Sequence, residues 1–271
     1  MEKSQPANWA VGTSYLPSSS VTLQEIKAAG LDSIELVIPR KEPDLTIKGL
    51  RKVFNPYIEK AHDLGLEVWS VHLPFGVAWD ISTIDLETRN SILDQHYELL
   101  TWVNEWKIKQ VVVHPSFEPI PIEERAERIE ACKYSLHRLA EKGKSLDIHI
   151  CVEDLPRTCL GNTSQEIKTL IGVNENLRVC CDVNHLLSET SVDFIKELNT
   201  KIQTVHMSDY DGIDERHWMP GEGIVKWPEV ISSLSEFGYE GPFMFEVAEE
   251  PNPHHLAACW NNLLEVYENK K

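Results

Sequence analysis

At 271 residues, 42% of them hydrophobic and 25% charged, the chain has the composition of a soluble globular protein with a sizeable core. Its 26 basic and 43 acidic residues give a formal net charge of -17, which with the lack of any Lys/Arg run argues against nucleic acid and other polyanionic partners. No stretch approaches the roughly 20 apolar residues of a membrane span, and the opening segment from Met1 to Trp9 carries no apolar run of a secretory signal.

From residue 9 onward one unit repeats: a short apolar run, a polar residue, a loop, then an amphipathic stretch. Trp9-Ala-Val-Gly12 is the first apolar run, and Thr22-Leu-Gln-Glu25 after it has the spacing of a capping box that opens a helix. Ser33-Ile-Glu-Leu-Val37, Glu67-Val-Trp-Ser-Val-His72 and Gln110-Val-Val-Val-His114 follow, with a helical stretch over 86–106 before the last. Residues 122–139 then place Ile122, Ala126, Ile129, Cys132, Leu136 and Leu139 on one helical face. Ile148-His-Ile-Cys-Val-Glu153 leads to a second capping-box spacing, Thr163-Ser-Gln-Glu166. The series closes with strands at 178–182, 201–206 and 243–247, separated by helices at 191–199 and 227–237 and followed by one at 254–269.

Eight strand-helix units in this order predict a single (β/α)₈ barrel over residues 1–271. A doubly wound open sheet is the competitor, but Gly12-Thr-Ser-Tyr15 is not the Gly-rich phosphate turn such a fold carries after its first strand. Alternation supports closure: Ile148, Ile150 and Val152 share one face, for the helices, while His149, Cys151 and Glu153 share the other, for the barrel interior. The six cysteines include no Cys-x-x-Cys and fall in apolar runs, as small buried hydrophobes of a reducing compartment do, so the cytoplasm is the expected location.

The last inward residues of the strands are Glu35, His72, His114, Glu153, Asp182, His206 and Glu246, a carboxylate or imidazole on seven of eight strands. For any one of them a hydrogen-bonded strand end is the simpler reading. In a barrel, however, all these ends meet at the C-terminal rim, where active sites lie. Glu35 is set aside as a cap or ion-pairing residue. Beyond His206, Asp209, Asp211, Asp214 and Glu215 crowd toward His217 with Arg216 alone to offset them. The bland reading is a solvated acidic loop; the alternative is a divalent cation, since oxygen and imidazole ligands suit Zn or Mn, with Mg and Co as further candidates.

The motifs Val71-His-Leu-Pro74, Val111-Val-Val-His-Pro115, Val152-Glu-Asp-Leu-Pro156, Cys181-Asp-Val-Asn-His185, His206-Met-Ser-Asp209 and Gly241-Pro-Phe-Met-Phe-Glu246 occur in this order. On them the chain resembles the xylose isomerase-like TIM-barrel superfamily, which contains sugar phosphate isomerases, ketose epimerases and endonuclease IV-type phosphodiesterases. The resemblance implies that Glu153, Asp182, His206 and Glu246 are the four metal ligands of an epimerase, the two glutamates also exchanging the substrate proton. It implies that His185 touches substrate. It also places His72, His114 and the Glu215-x-His217 pair where endonuclease IV-type members hold further zinc ions, with Glu215 in place of that branch's Asp.

The expected function is therefore a metal-dependent isomerase or epimerase of a sugar or sugar phosphate, working through an enediolate. The alternatives are a zinc-dependent phosphodiesterase and a lyase or dehydratase on the same scaffold. The expected partner is a small carbohydrate, with neither nucleic acid nor membrane, and a homo-oligomer is compatible with this reading. Two more residues are candidates for substrate contact: Arg157, to hold a phosphate or carboxylate, and Trp79, to wall the pocket against a sugar face. A surface ion pair and a core position are their respective alternatives.

Overall fold

The computed structural model describes residues 4–41, 45–248 and 252–270. Its strands are β1 (Val11–Tyr15), β2 (Ser33–Val37), β3 (Glu67–His72), β4 (Gln110–Val113), β5 (His149–Glu153), β6 (Leu177–Asp182), β7 (Ile202–His206) and β8 (Phe243–Phe245). They form one parallel sheet in the order β7-β6-β5-β4-β3-β2-β1-β8. The two outer strands meet just past the end of β7, where Met207 bridges Phe245 and the Met207 amide donates to the Met244 carbonyl at 2.8 Å. The result is the expected nearly closed eight-stranded barrel.

Among the described residues nine α-helices surround it: α1 (Leu23–Ala28), α2 (Ile47–Val53), α3 (Asn55–Asp63), α4 (Leu86–Glu105), α5 (Arg125–Leu146), α6 (Ser164–Ile171), α7 (Ser191–Leu198), α8 (Trp227–Glu236) and α9 (Pro253–Asn269). The capping box at Thr22 is complete, with Thr22 and Glu25 bonding each other's amides. At α6 only half forms. Thr163 accepts from the Glu166 amide, but the Glu166 carboxylate turns away to Arg125 and to the Gly161 amide, each at 2.6 Å.

Several boundaries differ from expectation, among them these. β8 stops at Phe245, short of 247. β1 starts at Val11 and runs three residues past Gly12, where the Ser33 hydroxyl lies 2.4 Å from where a Cβ would stand. α5 begins at Arg125 rather than 122, after turns that bond the Glu124 amide to Pro121 and the Arg125 amide to Ile122; Ile122 is exposed and the buried face starts at Ala131.

Alternation sorts the core as expected. Ile150 and Val152, like Phe243 and Phe245, join the main core between sheet and helices. Val112, Cys151 and Cys180 form a separate small cluster inside the barrel. Small interior side chains leave the tube narrow and its floor apolar, so polar groups gather at the rim above it.

Candidate metal centre

β5, β6 and β7 end on Glu153, Asp182 and His206, and Glu246 directly follows β8. One ligand atom from each of these four lies within 4.8 Å of the others. His206 Nδ1 stands 3.0 Å from Glu153 Oε1, 2.9 Å from Glu246 Oε2 and 4.0 Å from Asp182 Oδ2. The hydrogen-bond ladder that sets strand register also sets these separations, with Asp182 directly opposite His206. Besides Glu153–Cys180–His206, which shares two residues with the quartet, two further groups lie near it. His72 and His114 close on Glu153 Oε2 at 3.2 and 3.0 Å, and His185, Glu215 and His217 form a third group on the other side.

Second partners aim several of these side chains. His72 Nδ1 contacts the Leu73 carbonyl at 2.9 Å and His185 Nδ1 the Asp154 carbonyl at 2.8 Å, leaving each Nε2 toward the site. Asp182 Oδ1 accepts from the Asn184 amide, while its Oδ2 is buried without a hydrogen bond. Asp154 accepts from the Asp182 amide and ties β5 to β6. Asn184 Oδ1 accepts from the Arg216 and His217 amides at 2.9 and 3.1 Å, so it carries the loop that brings Glu215 and His217 over the rim.

The electrostatics are those of a site built for positive charge. Burial opposes a charge on His72, yet Glu153 and Glu35 raise its pKa to about 9. Burial likewise opposes a charge on His206 and His185, yet Cys180 with Glu246, Glu35 and Glu153 around the first, and Asp182, Glu215, Glu153 and Asp154 around the second, raise both well above the ordinary histidine range. On Glu153 burial is outweighed by His114 and His206, which hold it well below the usual carboxylate range. Asp182 goes the other way, pushed up to about 6 by burial, with His185 opposing and Glu246 adding to the rise. Buried carboxylate oxygens without an aligned donor, Asp182 Oδ2 and Glu246 Oε2, are costly unless a cation sits among them. The oxygen and imidazole donors present therefore fit a divalent ion such as Zn or Mn.

The remaining acids of the loop have other work. Asp209 is fully buried and accepts from the amides of Tyr210, Gly221 and Val225 and from the Trp227 indole, pulling the loop against α8. Gly223 permits this closeness: a Cβ there would lie 2.1 Å from the Tyr210 carbonyl. Asp211 caps the Ile213 and Asp214 amides and pairs with Arg216.

Above the quartet is a cavity of about 300 Å³ whose walls include Arg40, Phe75, His114, His185, His217 and Glu246. A larger cavity of about 870 Å³ lies beside α7 and α8, but it contains none of the clustered histidines. Size and chemistry part company here, and the chemistry marks the site.

Two expected substrate contacts are placed elsewhere or otherwise engaged. Trp79 is in the hydrophobic core with its edge on His96, because the turn after β3 folds it inward; Phe75, stacked 4.4 Å from His114, walls the cavity instead. Arg157 reaches the cavity, but its guanidinium is taken up by Glu118, by Asp214 at 2.5 Å and by Glu215 at 2.8 Å. It is an ion-paired clasp between loops rather than a free anion receptor. Arg40, which sequence reasoning passed over, lies on the cavity wall over the Phe75 ring and has no ion pair to a described residue. Glu35, set aside on sequence, is fully buried 2.8 Å from His206. It sits mid-way along β2 and not at its end as expected, and its place in the series of inward carboxylates and imidazoles was the signal that could have kept it.

A family model described as xylose isomerase-like TIM barrel matches residues 23–263. The uncharacterised protein MJ1311 of Methanocaldococcus jannaschii is 29% identical over 145 residues, a match that covers 50% of this chain and 50% of that protein. Among solved structures, a D-tagatose 3-epimerase-like protein is similar with a TM-score of 0.82 at 23% identity, over 96% of this chain and 99% of that one. An L-ribulose 3-epimerase is similar with a TM-score of 0.76 at 18% identity, over 100% of this chain and 97% of that one. At these identities the structural likeness shows the shared barrel.

Proposed function

The chain belongs to the xylose isomerase-like TIM-barrel family, and from that premise we propose that it is a metal-dependent isomerase or epimerase acting on a small carbohydrate. The observation that carries this reading is the quartet Glu153, Asp182, His206 and Glu246, two of which, Glu153 and Glu246, line a cavity of about 300 Å³. The epimerase names of the similar structures support it.

Glu153, Asp182, His206 and Glu246 would hold Zn or Mn, with Mg and Co as alternatives. A divalent ion bound there supplies Lewis acidity to a carbonyl and its neighbouring hydroxyl, stabilising negative charge on their oxygens. One glutamate takes the proton from the carbon beside the carbonyl, and the C–H electron pair moves toward the carbonyl oxygen to give an enediolate. The other glutamate returns a proton to the opposite face, which inverts that carbon. His185, buried at the cavity wall, would hold a substrate hydroxyl. All six cysteines are free, and the cytoplasm is our proposed location.

A second reading has its own observation. The groups His72–His114–Glu153 and His185–Glu215–His217 flank the quartet as two further candidate cation sites, the arrangement a polynuclear phosphodiesterase would use. The net charge of -17 and the carboxylates Glu118, Asp214 and Glu215 at the mouth weigh against a nucleic-acid substrate. Metal-reconstituted protein should epimerise a ketose or keto-glycoside from a panel while washing solvent deuterium into the carbon beside the carbonyl. Nicking of an abasic-site duplex that depends on His72, His114 and His217, with no exchange on any sugar, would reverse the ranking.

A further inference from the structure

Glu35 is a buried carboxylate that the proposed proton chemistry does not use. It lies mid-way along β2, fully buried, paired in register with Ser14 on one side and Ser70 on the other. β2 and β7 are not neighbours in the sheet, so Glu35 meets His206 across the barrel interior, with its Oε1 2.8 Å from Nε2. The approach is within ion-pair range but off the hydrogen-bond axis, and neither atom has another hydrogen-bond partner. The second oxygen is held, because the Ser70 hydroxyl donates to Glu35 Oε2 at 2.7 Å.

The opposite edge of the same imidazole decides what this contact does. His206 Nδ1 faces Glu153 and Glu246 at 3.0 and 2.9 Å. For Nδ1 to offer a lone pair to a cation, the ring proton has to reside on Nε2, and that nitrogen needs an acceptor in a place with no water. A carboxylate there selects the tautomer, turns the ring and strengthens Nδ1 as a donor. A carboxylate in the same apolar interior as Cys151 and Cys180 carries a desolvation cost that an apolar side chain of equal volume avoids.

We propose that Glu35 is a positioning residue for the metal centre, acting through His206 and anchored by Ser70. The proposal rests on the metal reading above. A purely structural role, stapling β2 to β3 through Ser70, makes a different prediction, because it would change the stability of the metal-free fold and leave ion affinity alone.

The test measures Zn affinity by chelator competition, and the visible absorption of the Co-substituted protein, in wild type, Glu35→Gln and Ser70→Ala. Glu35→Gln should keep the helical circular dichroism of the metal-free protein yet weaken Zn about 10–100-fold, the usual cost of losing such a partner. The Co band should shift, and Ser70→Ala should fall between wild type and Glu35→Gln. Wild-type affinity and an unshifted Co band in Glu35→Gln would overturn the proposal. Should Glu35→Gln not fold, Ser70→Ala decides alone: weaker Zn binding in a folded protein supports the role, and unchanged binding overturns it. Failure of wild type to take up any ion would instead overturn the metal reading itself.

Discussion

The two halves of the rim hold their ligands in different ways. Glu153, Asp182 and His206 are strand residues, each buried to within 1% of complete and locked by the parallel ladder. Glu215 and His217 ride on a loop, half-buried, and reach the site through Asn184, Asp209 and the Arg157 clasp. A strand end moves only if the barrel moves; a loop residue moves if a few hydrogen bonds break. The quartet at the strand ends is thus held by the barrel itself, and the loop residues Glu215 and His217 by a few hydrogen bonds.

The deepest break comes from the strand side. Asp182→Ala and His206→Ala should each empty the quartet with the fold intact, read as the ion lost in elemental analysis of reconstituted protein. Retention of the wild-type metal content in both would dissolve the distinction between the two halves. Next in size, Glu153→Gln and Glu246→Gln keep an oxygen for the ion but lose the proton-accepting carboxylate. Turnover should drop about 10²–10⁴-fold, far more than metal content does, with deuterium exchange lost from one or both faces of the substrate. Wild-type turnover in both would leave the glutamates as ligands only.

Proton linkage sharpens the same contrast. His72 is raised from 6.5 to about 9 and His206 in the same direction, so their charges stabilise the metal-free fold fully below about pH 6.5. The His72 contribution is lost as pH rises through about 9. Asp182, raised to about 6, has already lost its share by then. Metal-free protein should melt lower at pH 9 than at pH 6.5. Zn affinity should climb over the same range as ligands give up protons, and titration calorimetry in buffers of different ionisation enthalpy would count the protons released.

The loop side should yield smaller effects. Asn184→Ala leaves two amides unanswered, at about 1–3 kcal/mol each where buried. It should lower occupancy at the His185–Glu215–His217 group while the quartet keeps its ion. Smallest of all, Arg157→Met removes an ion-pair clasp whose side chain is 34% exposed. Each solvent-screened pair there contributes no more than about 1 kcal/mol, so metal content should hold and loop proteolysis should rise modestly. A large loss of quartet metal in either variant would show that the loop and strand ligands form one unit.

From sequence alone the barrel was legible in eight repeated units, and its inward faces in the alternation of runs such as Ile148 to Glu153. Seven candidate ligands stood out for the same reason, since strand ends of a closed parallel barrel share one rim and their chemistry can be pooled without coordinates; the choice of four among them was what the family resemblance implied. Three things needed the tertiary structure. Whether Trp79 faces a cavity or the core depends on how the turn after β3 folds, which side-chain periodicity does not encode. Whether Arg157 is free depends on Glu118, Asp214 and Glu215, which lie 39 to 58 residues away in sequence. And Glu35, set aside from the strand-end series as a cap or ion-pairing residue, gains its partner only in the closed barrel, because only closure puts β2 across the interior from β7 and beside His206. Periodic patterns report which face a residue lies on; distances between faces follow from packing, and packing is a property of the whole chain.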